Sequence, residues 1–145
     1  MWLKRFFSKE PELIRSLKRH HRELFKIYEK INDLVNKNKI EKIPEFLEKF
    51  YYRYKQHILY EDNYFYAKLR ELYDDDIEVR LFIRSKRREM DSITNVLVNF
   101  IEKYDTSDKI AANYDEFKSE FYHLGDVLNE RIEFEESELY LLYKD

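Results

Sequence analysis

The sequence predicts an all-α protein folded as an up-down-up-down antiparallel four-helix bundle. Three observations carry this expectation. The 145 residues include one Gly and two Pro, far fewer than the tight turns of a sheet protein use. Four stretches repeat apolar residues at alternating steps of three and four, the spacing of a helix face packed on its neighbours. Short polar breaks separate the stretches, and helices joined by short links pack antiparallel. Residues 1–145 read as a single domain with one core.

The first helix is expected from about Lys9 to Asn36, with Ser8 as N-cap and Pro11 in the first turn. Its seam is Ile14, Leu17, His21, Leu24, Tyr28, Ile31 and Val35. Asn36 to Lys39 form a polar break. The second helix begins near Pro44 and runs to about Tyr73, with the seam Leu47, Phe50, Tyr54, His57, Glu61 and Tyr64. Asp74-Asp75-Asp76 then supplies a turn and negative charge at the next N-terminus. The third helix spans about Ile77 to Tyr104, with the seam Val79, Ile83, Lys86, Met90, Ile93, Leu97, Phe100 and Tyr104. Asp105 to Asn113 read as a loop. The fourth helix runs from about Tyr114 nearly to the C-terminus along Phe117, Phe121, Leu124, Leu128, Arg131, Glu135, Glu138 and Leu142.

Composition narrows the functional classes. The net charge is −3 with both signs interspersed, which is no electrostatic footprint for nucleic acid. Lys86-Arg87-Arg88 is followed by Glu89 and Asp91 and reads as a solvated helix face. There are no cysteines, hence no disulfide, thiolate site or Cys nucleophile, as suits a reducing cytoplasm. No apolar run approaches the ~20 residues of a membrane span. The opening Met1-Trp2-Leu3-Lys4-Arg5-Phe6-Phe7 is too short and too charged for a secretory signal and is expected to pack across a bundle end.

The seams are apolar except in their middles, where His21, His57, Glu61, Lys86, Arg131 and Glu135 stand. Counted from the turns at 1.5 Å per residue, these positions agree in height to within roughly a turn. One mid-core polar layer is therefore expected to collect groups from every helix. Buried charge is costly unless paired or metal-bound. Two readings fit. His57 and Glu61, four residues apart, can offer a nitrogen and an oxygen to one ion, and His and carboxylate are ordinary ligands of iron, manganese and zinc. Read singly, the same residues are hydrogen-bonded core histidines and an Arg131–Glu135 salt bridge. His20 points off the seam and is expected at the surface. His123 lies off the seam at another height.

These motifs resemble a known family. His57-Ile-Leu-Tyr-Glu61-Asp62 followed by Tyr64-Phe65-Tyr66-Ala-Lys-Leu69 is similar to the second-helix signature of hemerythrin-like (HHE cation-binding) proteins. His21-Arg-Glu-Leu24 resembles their first-helix motif, and Arg131-Ile-Glu-Phe-Glu135-Glu136-Ser-Glu-Leu139-Tyr140 their last, with Arg where most members carry His. The Glu89-Met90 region and Ile110-Ala-Ala-Asn113-Tyr-Asp-Glu-Phe117 resemble a bacterial subgroup. The resemblance implies a bundle holding two bridged irons. It assigns His21, His57, Glu61 and Glu135 (or Glu136) as retained ligands. Histidines for the other iron are missing: the third helix offers Lys86 and Met90, and Arg131 stands in the fourth. Lys86 and Arg131 are expected to neutralise the carboxylates that two metals would share. The expected function is binding of at most one iron, or a zinc or manganese ion, in oxygen or iron handling or sensing and not in catalysis. A second resemblance, carried by Leu124-Gly125-Asp-Val-Leu128-Asn-Glu-Arg131 and Glu135-Glu136, is to the Rsd/AlgQ regulators. It implies a metal-free protein whose partner is an RNA polymerase sigma factor. A one-iron catalyst of oxygen or peroxide chemistry ranks third, because no acid–base or nucleophile constellation accompanies the layer.

Overall fold

The computed structural model describes residues 10–145, and all regular structure among them is helical. Helix α1 is Glu12–Asn36. Pro11 precedes it with an extended ψ of 141°, so it stands at the N-cap and not inside the first turn. Ser8 and the Met1–Phe7 segment lie outside the described residues. At the far end Asn38 adopts a left-handed φ of 56°, a conformation asparagine tolerates. The chain reverses there, and the N–H groups of Lys37 and Lys39 bond the Asp33 and Leu34 carbonyls.

A short 3₁₀ turn, Ile40–Lys42, leads into α2, Ile43–Tyr60, with Pro44 in its first turn as expected. The helix continues through a π-helical segment, Glu61–Tyr66, into α3, Ala67–Leu72. The wider turn corrects the expected seam. Tyr64, three residues after Glu61, is 58% exposed, while Phe65 is fully buried. A π turn holds one residue more than an α turn, so the inward face moves from i+3 to i+4. Tyr66 and Leu69 follow it into the core.

Helix α4 is Ile77–Lys103, capped by the Asp76 carboxylate, which accepts a 3.1 Å bond from the Val79 N–H. The stretch expected to be a loop contains helix α5, Ser107–Ala112. The Thr106 hydroxyl accepts from the Lys109 N–H, and Ile110 is fully buried. One capped turn and one apolar anchor suffice where tertiary packing supplies the stability. Helix α6, Tyr114–Ser137, stops earlier than expected. Glu138, counted in the seam, is exposed. A 3₁₀ turn, Leu139–Leu142, follows and buries Leu139 and Tyr140 instead.

The long helices pack in a ring: α1 on α2, α2 on α4, α4 on α6, and α6 on α1. Two apolar clusters fill the bundle. One gathers Leu24, Ile31, Phe50, Tyr54, Leu97, Phe117 and Phe121 with their neighbours. The other gathers Ile14, Leu17, Phe65, Leu69, Ile83 and Leu139. Full burial of each such side chain contributes ~1.5–3 kcal/mol. Between the clusters, where the seams of α1, α2 and α6 turn polar, lies the polar layer. No helix among the described residues is long and apolar enough to cross a membrane.

Candidate metal centre

His21 enters the layer from α1, between Leu17 and Leu24. His57 comes from the last turn of α2, and Glu61 opens the π segment one turn on. Arg131 and Glu135 come from the last turns of α6. All five are buried. The ligand-capable atoms of His21, His57, Glu61 and Glu135 lie within 4.8 Å of one another. Nε2 of His21 is 3.1 Å from Glu135 Oε1, and Nε2 of His57 is 3.4 Å from Glu61 Oε2.

Both imidazoles present Nε2 inward and are held from behind through Nδ1. His21 Nδ1 meets Glu136 Oε2 at 2.7 Å. His57 Nδ1 meets His20 Nδ1 at 3.1 Å. Such outer partners fix ring orientation and tautomer at metal sites. Glu136, the alternative to Glu135 in the sequence, meets the outward nitrogen of His21. His20, expected at the surface, is partly exposed but also turns onto His57. It is half-buried and stands edge-on to His57 and Tyr60. Burial first, and His57 second, push its pKa down to about 4, so it meets His57 as a neutral ring. The signal that marks it is its place beside His21: one residue turns the side chain by ~100° toward the neighbouring helix.

Arg131 closes the other side. Its Nε donates to Glu135 Oε2 at 3.3 Å and its Nη2 to the Tyr66 hydroxyl at 3.3 Å. Nη1 lies 3.8 Å from Glu89 Oε2, with no hydrogen bond. Lys86 does not join the layer. Its ammonium pairs with Glu89 at 3.3 Å and sits over the Phe82 and Phe134 rings. A lysine in the seam of a helix at the bundle's edge reaches outward along apolar surface to keep its charge hydrated. α4 therefore adds only Met90 to the wall of the site, and the layer draws on three long helices, not four. In the basic stretch beside it, Arg87 pairs with Asp62 and stacks on Tyr66, while Arg88 is exposed. His123 is exposed in a separate hollow with Val96 and Asn99.

Tyr140, delivered by the 3₁₀ turn after α6, was not singled out by its seam position. Its hydroxyl donates to Glu61 Oε2 at 2.9 Å and lies 3.2 Å from His21 Nε2.

The buried charges of the layer shift one another. Burial opposes ionisation of Glu61, but His57 and the Tyr140 hydroxyl outweigh it and hold its pKa below the usual carboxylate range. Glu135 is pushed up, by burial first and then by the charge of Glu61. Burial disfavours protonated His21, yet Glu135 and Glu136 more than compensate and raise its pKa. Two carboxylates thus share the layer with Arg131 and His21. A divalent cation would satisfy both, and two imidazole nitrogens with two carboxylates are a suitable donor set for iron, zinc or manganese. A cavity of about 340 Å³ reaches this cluster, with His21, His57 and Glu135 at its inner end and Phe25, Tyr122 and Asp126 toward its mouth. Another concavity of about 660 Å³, lined by Arg70, Arg80, Arg84 and Arg88, lies on the α3–α4 face.

The family model for the hemerythrin HHE cation binding domain matches residues 12–143. Among curated proteins and among solved structures there is no significant match.

Proposed function

The chain belongs to the hemerythrin HHE cation-binding family, and on that premise we propose that it is an up-down-up-down four-helix bundle binding at most one metal ion. His21, His57, Glu61 and Glu135 are the ligands. One observation carries this reading: four buried side chains from three helices bring their donor atoms within 4.8 Å of one another. Bound iron, or another divalent ion, would supply a Lewis-acidic centre with redox capacity if iron, beside the cavity. The protein's own part is to hold both Nε2 atoms inward through Glu136 and His20 and to bury the carboxylates between the two apolar clusters. The role is oxygen or iron handling or sensing, not turnover.

Arg131 limits the number of ions. Its guanidinium stays protonated and cannot ligate, and it lies against Glu135, which a second ion would need to share. Anaerobic loading with Fe(II) followed by elemental analysis tests the proposal. One iron per chain is expected, and two would refute it.

One observation favours a second reading. The Arg131–Glu135 pair already neutralises one carboxylate without metal, as a metal-free regulator would need. A stable complex of metal-free protein with a primary sigma factor, together with no metal uptake, would put that reading first.

A further inference from the structure

We propose that Tyr140 is a fifth ligand of the same centre, a phenolate; this rests on the metal reading above. Donors that share one ion at about 2.1 Å lie about 3 Å from their neighbours in the coordination shell. The Tyr140 oxygen is 2.9 Å from Glu61 Oε2, 3.2 Å from His21 Nε2 and 3.5 Å from Glu135 Oε1. The other neighbouring pairs, His21 with Glu135 and His57 with Glu61, are 3.1 and 3.4 Å apart. The phenol oxygen therefore stands among the donor atoms and not behind them. Glu136 and His20, by contrast, touch only the outward nitrogens.

The ring has little freedom to leave. Tyr140 is 3% exposed. It stacks on His21 at 5.8 Å and 12° and meets the Phe65 edge at 5.1 Å. The chain is bent to put it there: α6 ends at Ser137, and the 3₁₀ turn brings Tyr140 back over Glu135. A residue needed only to fill the core would not require a hydroxyl between two carboxylates and an imidazole. Without a cation, burial and both carboxylates hold this phenol protonated, well above its ordinary pKa. Ligation breaks the O–H bond, forms the oxygen–metal bond, and releases the proton to solvent.

The test uses the full chain loaded with iron and then oxidised to the ferric state. Wild type is expected to show a broad visible absorption band from phenolate-to-iron charge transfer. Resonance Raman excitation in that band should enhance tyrosinate ring vibrations. Tyr140→Phe should keep one iron per chain and lose both signals. Tyr66→Phe, whose hydroxyl touches Arg131, should keep them. Bound ferric iron without tyrosinate vibrations in wild type would overturn the proposal without needing either variant. Undiminished signals in Tyr140→Phe would do the same. No iron uptake at all would remove the metal reading and this one with it.

Discussion

Arg131 and the two carboxylates near it show how the layer behaves one residue at a time. With Arg131→Ala, Glu61 and Glu135 would face each other with His21 as their nearest cation. Breaking a buried pair in this way costs about 3–5 kcal/mol. Urea unfolding of metal-free protein should show a loss of that size, partly recovered when a divalent metal is added. A loss under ~1 kcal/mol would mean that Glu135 is neutral and Arg131 idle. For metal uptake, His57→Ala should abolish binding and His123→Ala should leave it intact. The opposite pattern would place the site in the wrong part of the bundle. His21, His57, Glu61 and Glu135 were legible in the sequence because each interrupts an apolar seam at a matched height. His20 was not, since its inward turn depends on where α2 crosses α1. Lys86 sat in the seam yet left the layer, because a long flexible cation can solvate itself where an imidazole cannot.

At the scale of elements, the π segment Glu61–Tyr66 and the α6 glycine each set a register. Deleting the exposed Asn63 would leave Phe65 three residues after Glu61, still inward in a regular α-helix. Inserting one alanine there instead would turn Phe65, Tyr66 and Leu69 by ~100° away from the core. The deletion should therefore melt within a few degrees of wild type, and the insertion should melt far lower. If the insertion is the milder change, the π turn does not set the register. Gly125, the chain's one glycine, lies mid-helix where alanine would ordinarily gain ~1 kcal/mol. Here a Cβ would collide with the Tyr28 hydroxyl. That ring stacks on Phe121 at 4.4 Å and donates to its carbonyl at 3.0 Å. Gly125→Ala should cost about 0–2 kcal/mol net, overpacking of ~1–3 set against the helix gain. In a Tyr28→Leu background the sign should reverse. A double-mutant cycle measures this coupling, and simple additivity would dismiss it.

For the whole molecule, a ligand that binds the folded bundle and not the open chain raises its stability. At a hundred times the dissociation constant, the gain is about 2.7 kcal/mol, or roughly 5–10 °C in Tm for a domain of this size. Calorimetry with added Fe(II) or Zn(II) should show that shift in wild type and none in His57→Ala; equal shifts in both would mean binding elsewhere. The all-helical class followed from the sequence alone, because scarce Gly and Pro and a three-and-four repeat are local facts of the chain. So did four of the proposed ligands, since burying His or Glu in an apolar seam demands an explanation wherever it occurs. Tertiary structure alone decided what depends on neighbours. The α5 turn is helical because Ile110 finds a pocket. The π turn moves Tyr64 out and Phe65 in because Glu61 and the apolar cluster around Leu17 and Leu69 must both be served by one helix. Tyr140 reaches the carboxylates because α6 ends at Ser137 and the chain bends back. Periodicity records which way a side chain points while a helix stays regular, and it is silent once the helix widens or stops.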